Sequence, residues 1–371
     1  MAARNRRRPR SGAIPTVMVV GARGIPDVEG GAEKNAEMLF PLIAGAGYRV
    51  ILLGLKDKLK GDSYRGVELM PAPNRRLLKT DKLFYYLYAI STARAIKPDV
   101  VHLQGLGASL FLWAYKLMGA HVVVRYGSAD YVVDKWGPIG RMGFRLAEYQ
   151  TRFADAVIAV APALADRLAK SGIRDNVHLI ANAVDEPAPL SHLSATPPEE
   201  QAPFVLAVGR VTAQKNVARI IEGFRIFCDR TGCRHRLLIA GGLEETAYVD
   251  ALPPLLDDRI VLLGRCTRQR LEGLYHRCAL FVNGSVHEGS SNAVLEAISR
   301  DCPIILSGIP ENRDFGLDDA IFFDPESPEA IAEAMERALA EPERFRADRK
   351  RFMSWPIVAQ KTLAVYEKIL A

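Results

Sequence analysis

At 371 residues and 40.9 kDa the chain is sized for two domains rather than one oversized core. Its 49% hydrophobic and 25% charged composition excludes intrinsic disorder, and apolar runs such as Leu83 to Ile90 stop far short of the roughly 18 residues a membrane span requires. The net charge of +6 is unevenly placed: residues 1–185 hold 27 Lys and Arg against 16 Asp and Glu, whereas residues 186–371 hold 22 against 27. A basic first half fits nucleic acid, an anionic membrane surface or an anionic substrate, and composition does not choose among them.

The N-terminus, MAARNRRRPRSGAIP, carries five arginines but no apolar segment of the kind a secretory signal needs, so a cytoplasmic protein is expected. Pro15 to Gly21 is an apolar run ending in glycine. A helical stretch around Ala32 to Ala46 and a second run from Tyr48 to Gly54 complete a β-α-β unit. Further strands are expected at Val67 to Pro71, Val100 to Leu103, Val122 to Arg125, Ala156 to Val160 and Val177 to Ile180, with helix-length patterns such as Lys79 to Ile96 between them. That alternation predicts a parallel sheet with helices on both faces. Residues 186–203, rich in proline and without an apolar period, read as a linker. A second doubly wound domain follows, with strands at Phe204 to Val208, Arg236 to Ala240, Ile260 to Leu263, Leu280 to Asn283, Pro303 to Ser307 and Ala320 to Phe323. Ligands of open α/β sheets bind outside the carboxyl ends of the strands, so the active site is expected in a cleft between two such edges.

Five cysteines, Cys228, Cys233, Cys266, Cys278 and Cys302, are odd in number and irregular in spacing, which predicts buried free thiols rather than a disulfide framework or a zinc site. His102, His121 and His287 lack any partner spacing for a metal and read as satisfied or exposed side chains. The segment Arg75 to Tyr88 sets cations beside aromatic and leucine positions; it could lie on a membrane, but Leu83, Leu87 and Ile90 recur as an ordinary buried stripe.

Glu288-Gly-Ser-Ser-Asn-Ala-Val-Leu-Glu296 follows an expected strand and enters a helix near Asn292. Gly289, Ser290 and Ser291 leave the backbone N–H groups at the helix start open to an anion, with the helix dipole behind them, and a diphosphate fits there. Glu288 can reach what is attached beyond the phosphates. Glu296, about one turn into the helix, can accept two hydrogen bonds from a ribose.

This segment, with Cys302-Pro-Ile-Ile-Leu-Ser307 after it, resembles the E-x7-E signature of the family-four retaining glycosyltransferases. Gly209-Arg-Val-Thr-Ala-Gln-Lys215-Asn216 resembles that family's G-R-x4-K-[GN] element, and Ala181-Asn-Ala-Val-Asp185 its P-N-G-V-D hinge. Leu238-Ile-Ala-Gly-Gly242 and Leu262-Leu-Gly-Arg265-Cys266 fall where the family places its nucleotide-binding turns. Gly21-Ala-Arg-Gly-Ile-Pro26 with Gly30-Gly31-Ala-Glu33 resembles the start of a subgroup that includes bacterial rhamnosyltransferases, and Lys135-Trp136-Gly137 and Arg152-Phe-Ala-Asp155 strengthen that likeness. Where many members carry His-Gly after the fourth strand, this chain has Tyr126-Gly127, whose hydroxyl could bind a sugar oxygen.

The resemblance implies a GT-B architecture, two doubly wound, Rossmann-like domains facing a deep cleft: an acceptor-binding domain at 1–185, a linker at 186–203, a nucleotide-sugar domain at 204–350 and a helix at 351–371 that returns to the first domain. It implies a retaining transfer from a nucleotide-diphosphate sugar to a saccharide or lipid-linked acceptor in bacterial surface or exopolysaccharide synthesis. Expected catalytic residues are Glu288, Arg210 and Lys215, the two cations clamping the diphosphate. Expected donor contacts are Glu296, Gly289, Ser290, Ser291, Asn292, Gly241 and Arg265, and an acceptor or phosphate loop holds Gly30, Gly31, Glu33 and Tyr126. No nucleic acid partner and no metal are expected, since the chain has no D-x-D sequence; an anionic membrane surface is a candidate partner. Rival readings are a sugar-nucleotide epimerase of the same fold and a non-catalytic membrane adaptor. A dinucleotide oxidoreductase is disfavoured because the first turn is not G-x-G-x-x-G.

Overall fold

Strands that are apolar on both sides need cover on both sides. The computed structural model, which describes residues 14–75, 81–129, 137–187, 197 and 200–371, provides it twice, in two units: residues up to Asn182 together with Ser354–Ala371, and Ala183–Met353. The N-terminal arginines, residues 76–80, Lys135, Trp136 and most of the expected linker lie outside the described residues.

The strands of the first unit are β1 (Thr16–Val20), β2 (Arg49–Leu55), β3 (Ser63–Tyr64), β4 (Val67–Ala72), β5 (Val100–Gln104), β6 (His121–Tyr126), β7 (Ala156–Ala159) and β8 (Val177–Leu179). They form one sheet in the order β3-β4-β2-β1-β5-β6-β7-β8. All pairings are parallel except that of β3, a two-residue strand absent from the pattern-based expectation, which pairs antiparallel with β4. Helices α1 (Gly31–Gly45), α2 (Asp81–Ile96), α3 (Leu112–Leu117), α4 (Pro138–Gln150) and α5 (Pro162–Lys170) connect them. On α2 the buried face is Tyr85, Ala89 and Ala93, while Leu87 is 43% exposed, a correction to the expected leucine stripe. The tyrosine decides it: Tyr85 Oη donates to the Leu53 carbonyl at 2.7 Å and accepts from the Gly21 N–H at 2.9 Å, turning that face onto the sheet.

The second unit is a six-stranded, wholly parallel sheet in the order β11-β10-β9-β12-β13-β14. Its strands are β9 (Phe204–Val208), β10 (Arg236–Ala240), β11 (Ile260–Gly264), β12 (Leu280–Asn283), β13 (Ile304–Ser307) and β14 (Phe322–Phe323). Helices α6 (Val217–Thr231), α7 (Thr246–Val249), α8 (Arg268–Arg277), α9 (Asn292–Ser299), α10 (Pro310–Arg313) and α11 (Pro328–Ala340) alternate with them. The last helix, α12 (Trp355–Leu370), belongs to the first unit. Its Tyr366 hydroxyl lies 2.6 Å from His102 Nδ1 on β5, and burial pushes that imidazole down to about 3.

The thiol expectation needs correction. Cys228 and Cys233 form a disulfide, because Gly232 ends α6 in a left-handed conformation and brings the two Cα atoms to 4.7 Å. Cys278 and Cys302 are buried free thiols and Cys266 is partly buried. Among the described residues no helix is long and apolar enough to cross a membrane.

Candidate active site

Both sheets reverse their strand order beside the first strand: β1 lies between β2 and β5, and β9 between β10 and β12. The loops that leave those strands therefore stand at topological switch points, where open α/β sheets hold ligands. In the second unit the loop after β9 carries Gly209 to Asn216 and the loop after β12 carries Gly284 to Ser291. Neighbouring strands place them side by side although their residues are about seventy positions apart.

Two backbone-directed bonds join these loops. The Gln214 side-chain amide donates to the His287 carbonyl at 2.8 Å, and the Val286 N–H donates to the Gln214 carbonyl at 3.0 Å. In that frame the Lys215 ammonium is ion-paired with the Glu288 carboxylate. Ser285 Oγ donates to the same carboxylate oxygen at 2.7 Å. Glu288 is buried. Burial alone would raise its carboxyl, but the Lys215 charge and hydrogen bonds from Lys215, Ser285 and Asn283 outweigh it and hold the group below its ordinary value. The pair thus keeps an anion and a cation in a mostly dry corner.

Glu296 stands one turn into α9, partly exposed, and its Oε2 accepts the Tyr275 hydroxyl at 2.9 Å. Burial, and then the Glu296 charge and hydrogen bond, push the Tyr275 phenol well up, so the tyrosine remains a donor. Gly289 and Ser291 are buried at the entry to α9, with Ser290 and Asn292 partly exposed. Gly241 follows β10 at φ 156°, where an added Cβ would lie 1.9 Å from the Gly209 carbonyl oxygen. Only glycine permits this contact, in which the turns after β9 and β10 are stitched together by Gly209 N–H to Ala240 O and Val211 N–H to Gly242 O, each 2.9 Å. Arg265 and Arg210 are exposed. Arg265 is ion-paired with Glu244, whose carboxyl is held low against burial by that partner and by the more distant Arg210. Glu244 was not among the expected site residues; its signal was an acid two residues after the Gly241-Gly242 pair. Asn283 and Ser285 were likewise missed, although polar residues closing an apolar strand were legible.

The first unit treats its expected loop residues differently. Glu33 Oε1 accepts from the Arg23 N–H at 3.0 Å and from Arg23 Nε at 2.8 Å, and Glu37 accepts from the Asp27 N–H at 2.9 Å. Two glutamates on α1 therefore clamp the glycine loop, and Glu33 positions it from a buried site. Gly30 is exposed at φ 139°, and a Cβ there would collide with Glu33 Oε2 at 2.1 Å; Gly31 opens the helix beside it. The expectation for Tyr126 is overturned: it is fully buried at the end of β6, and its hydroxyl is hydrogen-bonded to Glu148 on α4, which leaves it inside the core. His287 pairs with Glu311 at 3.2 Å and His121 lies 3.9 Å from Asp155. Among the described residues no group of three or more His, Cys, Asp or Glu could hold a metal ion.

Comparison with known proteins bears on the two domains and the fold. Residues 29–186 match Glycosyltransferase Family 4, and residues 192–352 match Glycosyl transferases group 1. The chain is 28% identical over 254 residues to the alpha-maltose-1-phosphate synthase of Mycolicibacterium smegmatis, covering 59% of this chain and 64% of that protein. It is 26% identical over 243 residues to the mannosylfructose-phosphate synthase of Agrobacterium fabrum, covering 58% and 53%. These matches thus span between about half and two thirds of the relatives' length. In fold it is similar to the sucrose-phosphate synthase of Thermosynechococcus elongatus, with TM-score 0.77, 17% identity and coverage of 96% of this chain and 99% of that one. Anabaena HepE, solved in complex with UDP and glucose, superposes with TM-score 0.76 at 15% identity, covering 95% and 100%. With its first half matched by the family-four model and its second by the group 1 model, the chain carries two glycosyltransferase family domains and has the GT-B fold.

Proposed function

We propose that this chain transfers a sugar from a nucleotide diphosphate to a saccharide or lipid-linked saccharide acceptor, with retention of anomeric configuration. The observation that carries the reading is the Lys215–Glu288 pair beside the start of α9. The donor's diphosphate lies against Lys215, Arg210 and the first N–H groups of α9, Glu288 takes hydroxyls of the donor sugar and Glu296 those of the ribose. An ammonium has three donors, so Lys215 can hold Glu288 and a phosphate oxygen together. As the bond from the anomeric carbon to the diphosphate oxygen breaks, negative charge grows on the diphosphate, and fixed cations there lower the barrier most. No metal is needed in this scheme, because the two cations and the helix start supply the positive potential a dication would bring.

The UDP bound by HepE favours a uridine diphosphate sugar as the first donor to try. The Gly21 to Pro26 loop supports the subgroup that includes rhamnosyltransferases, and with it a role in bacterial surface polysaccharide synthesis. The test is thermal unfolding across a panel of uridine, guanosine, deoxythymidine and adenosine diphosphate sugars. A cognate donor at a hundred times its Kd stabilises the folded state by about 2.7 kcal/mol; no shift with any of them sinks the proposal.

A further inference from the structure

Within the first unit, an apolar stripe is left in solvent. On α4 and the turn that follows it, Ile139, Met142, Leu146, Tyr149 and Phe153 are 82%, 66%, 50%, 50% and 56% exposed. Their alternating spacing of three and four residues lines them up on one side of a helix. That side is not the one that packs: Ala147, Glu148 and Thr151 are buried, and Gln150 donates to the Leu110 carbonyl at 2.9 Å, fastening the inner face to the preceding turn. On α3, Trp113 and Leu117 are also 54% and 75% exposed. There Lys116, bonded to Asp155 at 2.7 Å, ties α3 to the end of the same segment. An exposed apolar helix face of this kind marks a binding surface.

Charge decides what covers it. Arg141, Arg145 and Arg152 are exposed and fall on one flank, about 100° around the axis from the middle of the stripe. The Arg152 guanidinium lies over the Tyr149 ring at 4.0 Å, joining the flank to the stripe. The acid of α4, Glu148, is turned inward onto Tyr126. A second copy docked through a two-fold axis would bring two arginine-rich flanks into one interface. An anionic bilayer meets both demands, because the stripe sinks to the acyl boundary while the arginine stems snorkel to the phosphates.

We infer that α4, with the exposed side of α3, is a docking surface for anionic lipid, with α4 lying in the plane of the interface. It requires neither donor nor acceptor. The test is sedimentation of the full-length chain with phosphatidylcholine vesicles and with vesicles containing phosphatidylglycerol. Wild type should bind the anionic vesicles, and added salt should weaken binding. Ile139→Glu and Leu146→Glu should each lower the partition coefficient by about tenfold or more, as should the pair Arg141→Glu and Arg145→Glu, with melting temperatures unchanged. The inference is overturned if wild type stays in solution at low salt. It is also overturned if the variants bind as wild type does, which would assign binding to the arginine-rich N-terminus. It fails too if sedimentation velocity shows a dimer that Leu146→Glu dissociates, which would make the stripe an interface between copies.

Discussion

Replacing Lys215 by methionine should destabilise the second unit near neutral pH, and less so in acid. Glu288 is 8% exposed, and its carboxylate holds Lys215 and the Ser285 hydroxyl. In the native protein burial is outweighed by Lys215 and by the Ser285 and Asn283 hydrogen bonds, so the folded pKa lies below the ordinary value. A depressed carboxyl contributes stability that is fully present above its unfolded pKa of about 4.3 and is lost as pH falls through the folded pKa. Without Lys215 burial is opposed only by neutral donors, the folded pKa moves upward, and the sign reverses, with stability now lost as pH rises. An uncompensated buried carboxylate costs about 3–5 kcal/mol. Because Ser285 and Asn283 remain, about 3 kcal/mol is expected near pH 7.5, falling below about 1 kcal/mol near pH 4.5, since methionine preserves the packing of the lysine stem. Urea unfolding followed by far-ultraviolet circular dichroism at both pH values measures it, and Glu288→Gln in the Lys215→Met background should recover most of the loss. Equal destabilisation at the two pH values, or additivity of the two substitutions within about 0.5 kcal/mol, would refute the ion-pair account.

Glu288→Gln should abolish most sugar transfer and leave nucleotide affinity intact, whereas Glu296→Gln should weaken nucleotide binding; kinetics alongside calorimetric titration separate the two, and equal losses of affinity with turnover retained at saturation would overturn the division of roles. Arg210→Ala and Lys215→Ala should each slow transfer by about a hundredfold or more, and a double-mutant cycle should be non-additive if both act on one diphosphate. Tyr126→Phe should cost about 1–3 kcal/mol by leaving Glu148 short of a buried donor, with acceptor KM unchanged; a raised KM would return Tyr126 to the site. Transfer should persist in excess EDTA after dialysis, and loss restored by Mg²⁺ or Mn²⁺ would require a carboxylate ligand set.

Local pattern carried much of this molecule. The apolar runs of Thr16–Val20 and Leu280–Asn283 became central strands because runs buried on both faces have few alternatives, and Asn292 opens a helix as the polar loop before it predicts. The E-x7-E and G-R-x4-K segments were visible as sequence. What they touch was not. Lys215 meets Glu288 because β12 inserts beside β9, and neighbour order in a parallel sheet is set by long-range packing that no short window contains. Tyr126 ends an apolar strand and offers a hydroxyl, but its partner Glu148 comes from a helix twenty-two residues on, so motif position suggested a ligand contact where the fold made a core bond. The Cys228–Cys233 bridge needed the left-handed Gly232 between them. The face of α4 shows the same limit: periodicity reports that a helix has apolar residues, while which of them are covered depends on the elements packed against it, and only the tertiary structure left Ile139, Met142 and Leu146 in solvent.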